Sequence, residues 1–152
     1  LDREYGFERF NSFFTISYFV INLKTGQATY GNAGHPYPIH LQKSGTMELL
    51  KAAGPCIGMR DFDFIDNRKI RFGEGEFLIE PGDKIFLYTD GIVEYQNGNG
   101  KFYGEDRFYR TIRMPKNEPV GEAIVSLIKF LTEFGGNTPP QDDITLLGLE
   151  MK

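Results

Sequence analysis

The sequence predicts an α+β fold, with antiparallel strands through most of the chain and two helices near its end. Three observations carry that expectation. Phe and Tyr are abundant, at 14 and 8 residues, and stand with β-branched residues in short runs that suit a pleated, half-buried surface. Gly-containing turns separate those runs. Helical periodicity appears only after residue 104, so strands and helices are segregated rather than alternating.

Residues 1–12 are polar and mixed and read as the end of a helix. Residues 13–23 are apolar with only small polar breaks, so they read as a strand buried on most of its length. Lys24-Thr25-Gly26 is a turn, and residues 27–30 return as the second strand of a hairpin. Gly31-Asn32-Ala33-Gly34-His35-Pro36 interrupts the strand pattern. Residues 38–42 and 46–50 make a further strand pair about the turn Lys43-Ser44-Gly45. Gly54-Pro55, Gly58 and many charges make 51–68 mostly loop. Residues 69–72 and 76–79 are short strands, and Pro81-Gly82-Asp83 is a tight turn. Residues 84–88 form a strand that stops at Thr89-Asp90-Gly91. A short helix follows over 105–113. The second helix carries Val120, Ala123, Ile124, Leu127, Ile128, Leu131 and Phe134 at helical spacing; Pro119 suits its first turn and Gly135-Gly136 its end. A Pro-rich loop leads into a closing strand over 143–150.

A chain of 152 residues is one domain or part of one, long enough to bury a core. Its net charge of -4 argues against nucleic acid as the main partner, which needs a basic face. No apolar run approaches the roughly 20 residues of a membrane-spanning helix. The opening Leu1-Asp2-Arg3-Glu4 lacks the basic start and apolar stretch of a signal peptide. The one cysteine, Cys56, cannot form an internal disulfide, so a reducing, cytoplasmic setting is expected. Leu1 is not an initiator Met, so a piece of a longer chain is expected.

Two carboxylate-bearing turns carry candidate chemistry. Asp90 ends an apolar strand, and Gly91 lets the chain turn away, which presents a carboxylate rigidly at a sheet rim. The alternative is a plain turn, since Asp and Gly are common turn residues. Asp142 and Asp143 are adjacent acids before the last strand. Their mutual repulsion is relieved by a cation or by solvent, and a hard divalent cation wants several oxygen ligands. His35 has three readings: a ligand, a proton carrier or a loop histidine. His40, inside a strand, reads as structural, as do the Phe and Tyr side chains. Cys56 has no base and acid near it in sequence to make it a nucleophile. Glu74, Glu76 and Glu80 read as a solvated face, and Glu94 as an outer neighbour of Asp90.

Five blocks occur in order: Asn32-Ala33-Gly34-His35-Pro36, Gly54-Pro55-Cys56-Ile57-Gly58-Met59, Pro81-Gly82-Asp83, Tyr88-Thr89-Asp90-Gly91-Ile92-Val93-Glu94 and Gln141-Asp142-Asp143-Ile144-Thr145. This series resembles the C-terminal half of bacterial SpoIIE/RsbU-type phosphatases of the PPM class, from about residue 13 onward. The resemblance implies a PPM-like antiparallel β-sandwich flanked by helices, here incomplete at the N-terminus, so that 1–152 is a single, N-terminally truncated phosphatase domain. It implies metal-dependent hydrolysis of phosphoserine or phosphothreonine on a protein, with two Mn²⁺ or Mg²⁺ ions activating a water. Asp90 and Asp142 match metal ligands of the family; Asp143 would tune the site or bind through water, and Thr145 would tie the loop to its own backbone. Gly34, His35 and Gly91 would lie near the metals. The family's upstream blocks, which supply bridging Asp residues, do not occur in this chain. Weak or absent metal binding and no activity of this piece alone are therefore expected.

The same resemblance implies a phosphoprotein partner, such as an anti-sigma-factor antagonist. A competing expectation is a non-catalytic protein-binding module of degenerate phosphatase fold. A third, an Asp-nucleophile phosphotransferase, would need Asp61-Phe62-Asp63 early in the chain rather than in a mid-chain loop. The missing half would also leave a sheet edge or apolar face that a homodimer or strand exchange would cover.

Overall fold

The computed structural model describes residues 13–58 and 71–152. The expected N-terminal helix end, strand residues 69–70 and Asp61-Phe62-Asp63 lie outside the described residues. Backbone contacts divide the chain into two compact units, residues 1–37 with 50–78, and residues 38–49 with 79–152.

The first unit holds a three-stranded antiparallel sheet in the order β1-β2-β5, with β1 at Ile16–Ile21, β2 at Gln27–Ala33 and β5 at Glu74–Leu78. Ala28, Tyr30, Phe19 and Phe77 lie on one face, and the Phe19, Tyr30 and Phe77 rings pack together with Leu50 and Ala52. β1 is not buried throughout, as its letters suggest. It alternates, and Val20 is 65% exposed. Nor does Gly31 end the second strand: β2 runs on through Gly31, Asn32 and Ala33. Gly31 pairs with Tyr18, and a Cβ there would lie 2.3 Å from the Tyr18 ring, so the glycine makes room for the tyrosine across the ladder. Arg71 and Phe72 are not strand, and β5 begins instead at Glu74.

The second unit holds a four-stranded antiparallel sheet in the order β4-β3-β6-β7 and two helices. Its strands are β3 at Ile39–Leu41, β4 at Met47–Leu49, β6 at Lys84–Tyr88 and β7 at Leu146–Glu150. The helices are α1 at Glu105–Arg113 and α2 at Val120–Gly135. Gly104, at φ 82, starts α1; acids fill its first turn and Arg110 and Arg113 its last, complementing the helix dipole. The α2 face carrying Ala123, Leu127 and Leu131 packs with α1 and with Ile39, Leu41, Phe86 and Tyr88 of the sheet. Phe86, Phe108, Ile112 and Ile39 are fully buried, each contributing about 1.5–3 kcal/mol. Gly148 lets α2 approach β7, because a Cβ there would meet Val120 at 2.5 Å. The closing strand starts at Leu146, not at residue 143.

One buried polar network pins the strand turns of this unit. The Asp83 carboxylate takes the His40 ring at 2.9 Å and the backbone N–H groups of Lys43 and Glu80 at 2.9 and 3.1 Å. Burial pushes the Asp83 pKa up, but the two N–H donors and the His40 ring together hold it below the usual carboxylate value. His40 is therefore a structural histidine. Among the described residues, no helix is long and apolar enough to cross a membrane.

Candidate functional site

Asp90 sits where β6 gives way to a 3-10 turn at Asp90–Ile92. The turn is closed by backbone bonds from Ile92 N–H to Thr89 O at 3.2 Å and from Glu94 N–H to Asp90 O at 2.9 Å. The residue that joins this turn to the Asp142-Asp143 loop is Thr89. Its hydroxyl accepts the N–H of Thr145 at 2.9 Å and donates to the carbonyl of Asp143 at 3.0 Å. Its own N–H donates to the carbonyl of Thr145 at 3.1 Å. Residues 143–145 are thus held to Thr89 by its hydroxyl and by one backbone bond, ahead of the regular β6–β7 pairing that begins at Leu146. The Thr145 backbone is bound on both its N–H and its carbonyl by Thr89.

Gly91 completes the contact. A Cβ at this buried position would lie 2.4 Å from the carbonyl oxygen of Asp143. The loop is tied further back as well. Tyr95 donates its hydroxyl to Thr138 O at 2.6 Å, and Gln141 Oε1 accepts the Gln96 N–H at 2.9 Å. The Asp142 carboxylate accepts the N–H of Asp143 at 2.7 Å.

Asp90, Asp142 and Asp143 are all exposed. Their segments are neighbours, yet among the described residues no three His, Cys, Asp or Glu side chains stand close enough to hold a metal ion. The donor chemistry suits a hard cation, but these acids supply only part of the roughly six oxygens such an ion takes. Glu94 is exposed, beyond the turn.

His35 belongs to the first unit, Asp90 and Asp142 to the second. The His35 loop is shaped by Asn32, whose amide donates to His35 O at 2.7 Å and whose Oδ1 accepts the His35 N–H at 3.0 Å. Thr15 Oγ1 lies 2.9 Å from His35 Nδ1. Gly34, at φ 67, has its N–H on Gly54 O at 2.9 Å, and a Cβ there would lie 2.3 Å from Cys56 Sγ. The Asn32–Pro36 and Gly54–Gly58 blocks are therefore packed against each other. Sequence reasoning missed Thr89, Asn32 and Tyr95 as anchors. Only the position of Thr89, immediately before a strand-end Asp, offered a signal.

The two antiparallel sheets and two helices match the fold of solved PP2C-type phosphatase domains. The family model described as Stage II sporulation protein E (SpoIIE) matches residues 2–152, and the chain belongs to that family. Protein IcfG of Synechocystis sp. is 29% identical over 140 residues, 90% of this chain and 20% of that protein. The phosphoserine phosphatase RsbU of Bacillus subtilis is 33% identical over 90 residues, 58% of this chain and 24% of that protein. The SiaA-PP2C domain of Pseudomonas aeruginosa superposes with a TM-score of 0.75 at 24% identity, covering 91% of this chain and 52% of that one. The chain thus spans a quarter or less of those two curated relatives and about half of that structure.

Proposed function

We propose that residues 1–152 are part of a single phosphatase domain that hydrolyses phosphoserine or phosphothreonine on a protein in a metal-dependent reaction. The observation that carries this reading is the Thr89 clamp between the Asp90 turn and the Asp142-Asp143 loop, in a chain of the SpoIIE family. Asp90 and Asp142 would hold the divalent cation, and Asp143 would bind through water or tune the charge. A pair of bound Mn²⁺ or Mg²⁺ ions supplies an activated water and balances charge on the phosphoryl oxygens. The chain's own work is positional: Thr89, Gly91 and Gln141 fix the backbone that carries the acids.

With Asp90 and Asp142 alone the cation shell is incomplete, so this chain by itself binds metal weakly and turns over no substrate. The similarity to RsbU, a phosphoserine phosphatase, supports a phosphoprotein substrate; a partner of the partner-switching kind, such as an anti-sigma-factor antagonist, and a cytoplasmic setting belong to the same proposal. The lack of a third ligand among the described residues is also what a non-catalytic docking module would present.

One experiment separates these readings: Mn²⁺-dependent hydrolysis of p-nitrophenyl phosphate by the whole protein, by its Asp90→Asn variant and by this chain alone. Activity confined to the unsubstituted whole protein is expected. Equal activity in Asp90→Asn would remove Asp90 from the site, and inactivity throughout would favour the docking module. Tight Mn²⁺ binding by this chain in calorimetry would contradict the incomplete shell.

A further inference from the structure

Within the second unit, an open groove of about 470 Å³ runs between α1 and α2. Tyr103, Phe130 and Phe134 give it aromatic walls, and Met114 lines it while 60% exposed. Arg107 is fixed there. Its guanidinium lies 5.0 Å over the Phe134 ring, and Nη1 donates to the carbonyls of Phe102 and Tyr103 at 3.0 and 2.7 Å. Arg110 donates Nε to Asp106 O at 3.1 Å. Among the described residues, neither guanidinium has a carboxylate within ion-pair distance. Two arginines without an ion-pair partner thus stand beside the exposed Met114 and the half-buried Phe130 and Phe134, with Glu133 on the same groove. Arg107 in particular is already ordered, so an anion that meets it costs little side-chain entropy.

We propose that this groove docks a short peptide segment of a partner protein, with an apolar side chain against Phe130, Phe134 and Met114 and a carboxylate on Arg107 and Arg110. Small-molecule sites enclose roughly 70–90% of their ligand. An open cleft between helices suits a polymer segment better, as in helix-in-groove recognition. Glu133, also on the groove, repels a uniformly acidic segment. It therefore fixes the orientation, with the carboxylate on the α1 side. The inference uses none of the residues assigned to metal binding, so it stands or falls apart from the phosphatase reading.

The test is selection from a random short-peptide library displayed on phage, with the whole protein as target and an Arg110→Glu/Met114→Lys variant as counter-target. Both side chains are exposed, so the variant should fold; Arg110→Gln alone is the milder control. Enriched peptides should share an apolar residue beside Asp or Glu. Synthetic copies should bind the unsubstituted protein at least about tenfold more tightly than the double variant, as loss of an Arg anchor typically gives. No enrichment, enrichment without acidic residues, or equal binding to the variant overturns the proposal. Sedimentation velocity covers the remaining occupant: a dimer lost in the double variant would assign the groove to a second copy and overturn the peptide reading.

Discussion

Replacing Thr89 by Val tests the clamp directly. The substitution keeps the branched shape and removes one oxygen. That oxygen makes two hydrogen bonds, from Thr145 N–H at 2.9 Å and to Asp143 O at 3.0 Å. A net hydrogen bond contributes about 0.5–1.5 kcal/mol, so losing both costs about 1–3 kcal/mol. The backbone bond from Thr89 N–H to Thr145 O at 3.1 Å survives, and exposed Asp143 and Thr145 regain some water, which favours the lower half of that range. Urea unfolding should show a lower midpoint with an unchanged slope. The amide of Thr145 should exchange faster with solvent, and Thr89→Ser should restore most of both. Thr89→Val within about 0.5 kcal/mol of the unsubstituted chain would be no more than an ordinary surface change. That result, or Ser losing as much as Val, would show that the hydroxyl does not hold these segments together.

Gly91→Ala should be worse than its size suggests, by about 1–3 kcal/mol, because its Cβ meets a backbone carbonyl at 2.4 Å rather than a movable side chain; urea unfolding measures it, and Mn²⁺ affinity of the whole protein should fall with it. Gly34→Ala combines a left-handed backbone at φ 67 with contact against Cys56 and should lower the thermal midpoint, at a cost of about 1–3 kcal/mol. The Asp83 network predicts acid sensitivity of a definite sign. The folded pKa lies below the unfolded value, so the unfolded chain binds more protons near pH 4. The stabilisation is present above the unfolded value of about 3.9 and is lost as pH falls through the lower folded value. Urea midpoints of the unsubstituted chain and of Asp83→Asn should therefore converge at low pH and separate above it.

Most of the fold was legible because its signals are local. The helix over 105–113 has acids in its first turn and arginines in its last, and the second helix keeps its apolar spacing from Val120 to Phe134. Errors arose where a distant residue decided. Apolar letters on both faces of β1 hid an alternation that burial reveals. Gly31 reads as a strand breaker until Tyr18 is placed over it. The acids at 90, 142 and 143 were visible as residue types in turns, but nothing near residue 145 in sequence indicates that Thr89 binds its amide across 56 positions. A hydroxyl that bridges two loops has no periodicity and no composition signal.

The five sequence blocks also change meaning once folded. Along the chain they look like five separate sites. In space the Asn32 and Gly54 blocks are one contact, made by Gly34 on Gly54 and Cys56. The Asp90 and Asp142 blocks are another, made by Thr89 and Gly91 on Asp143. The Pro81 block anchors the β3–β4 turn through Asp83 and Lys43. Three contacts, then, account for all five blocks, and only one of them joins two segments that both carry candidate metal-binding acids. An oxygen-ligand site demands this kind of support, because a cation fixes its ligands to within tenths of an ångström while exposed loops drift much further. It follows that most substitutions in these blocks should act on any chemistry through the backbone. Their effects on stability and on metal affinity should rise together, whereas Asp90→Asn should lower metal affinity with little loss of stability.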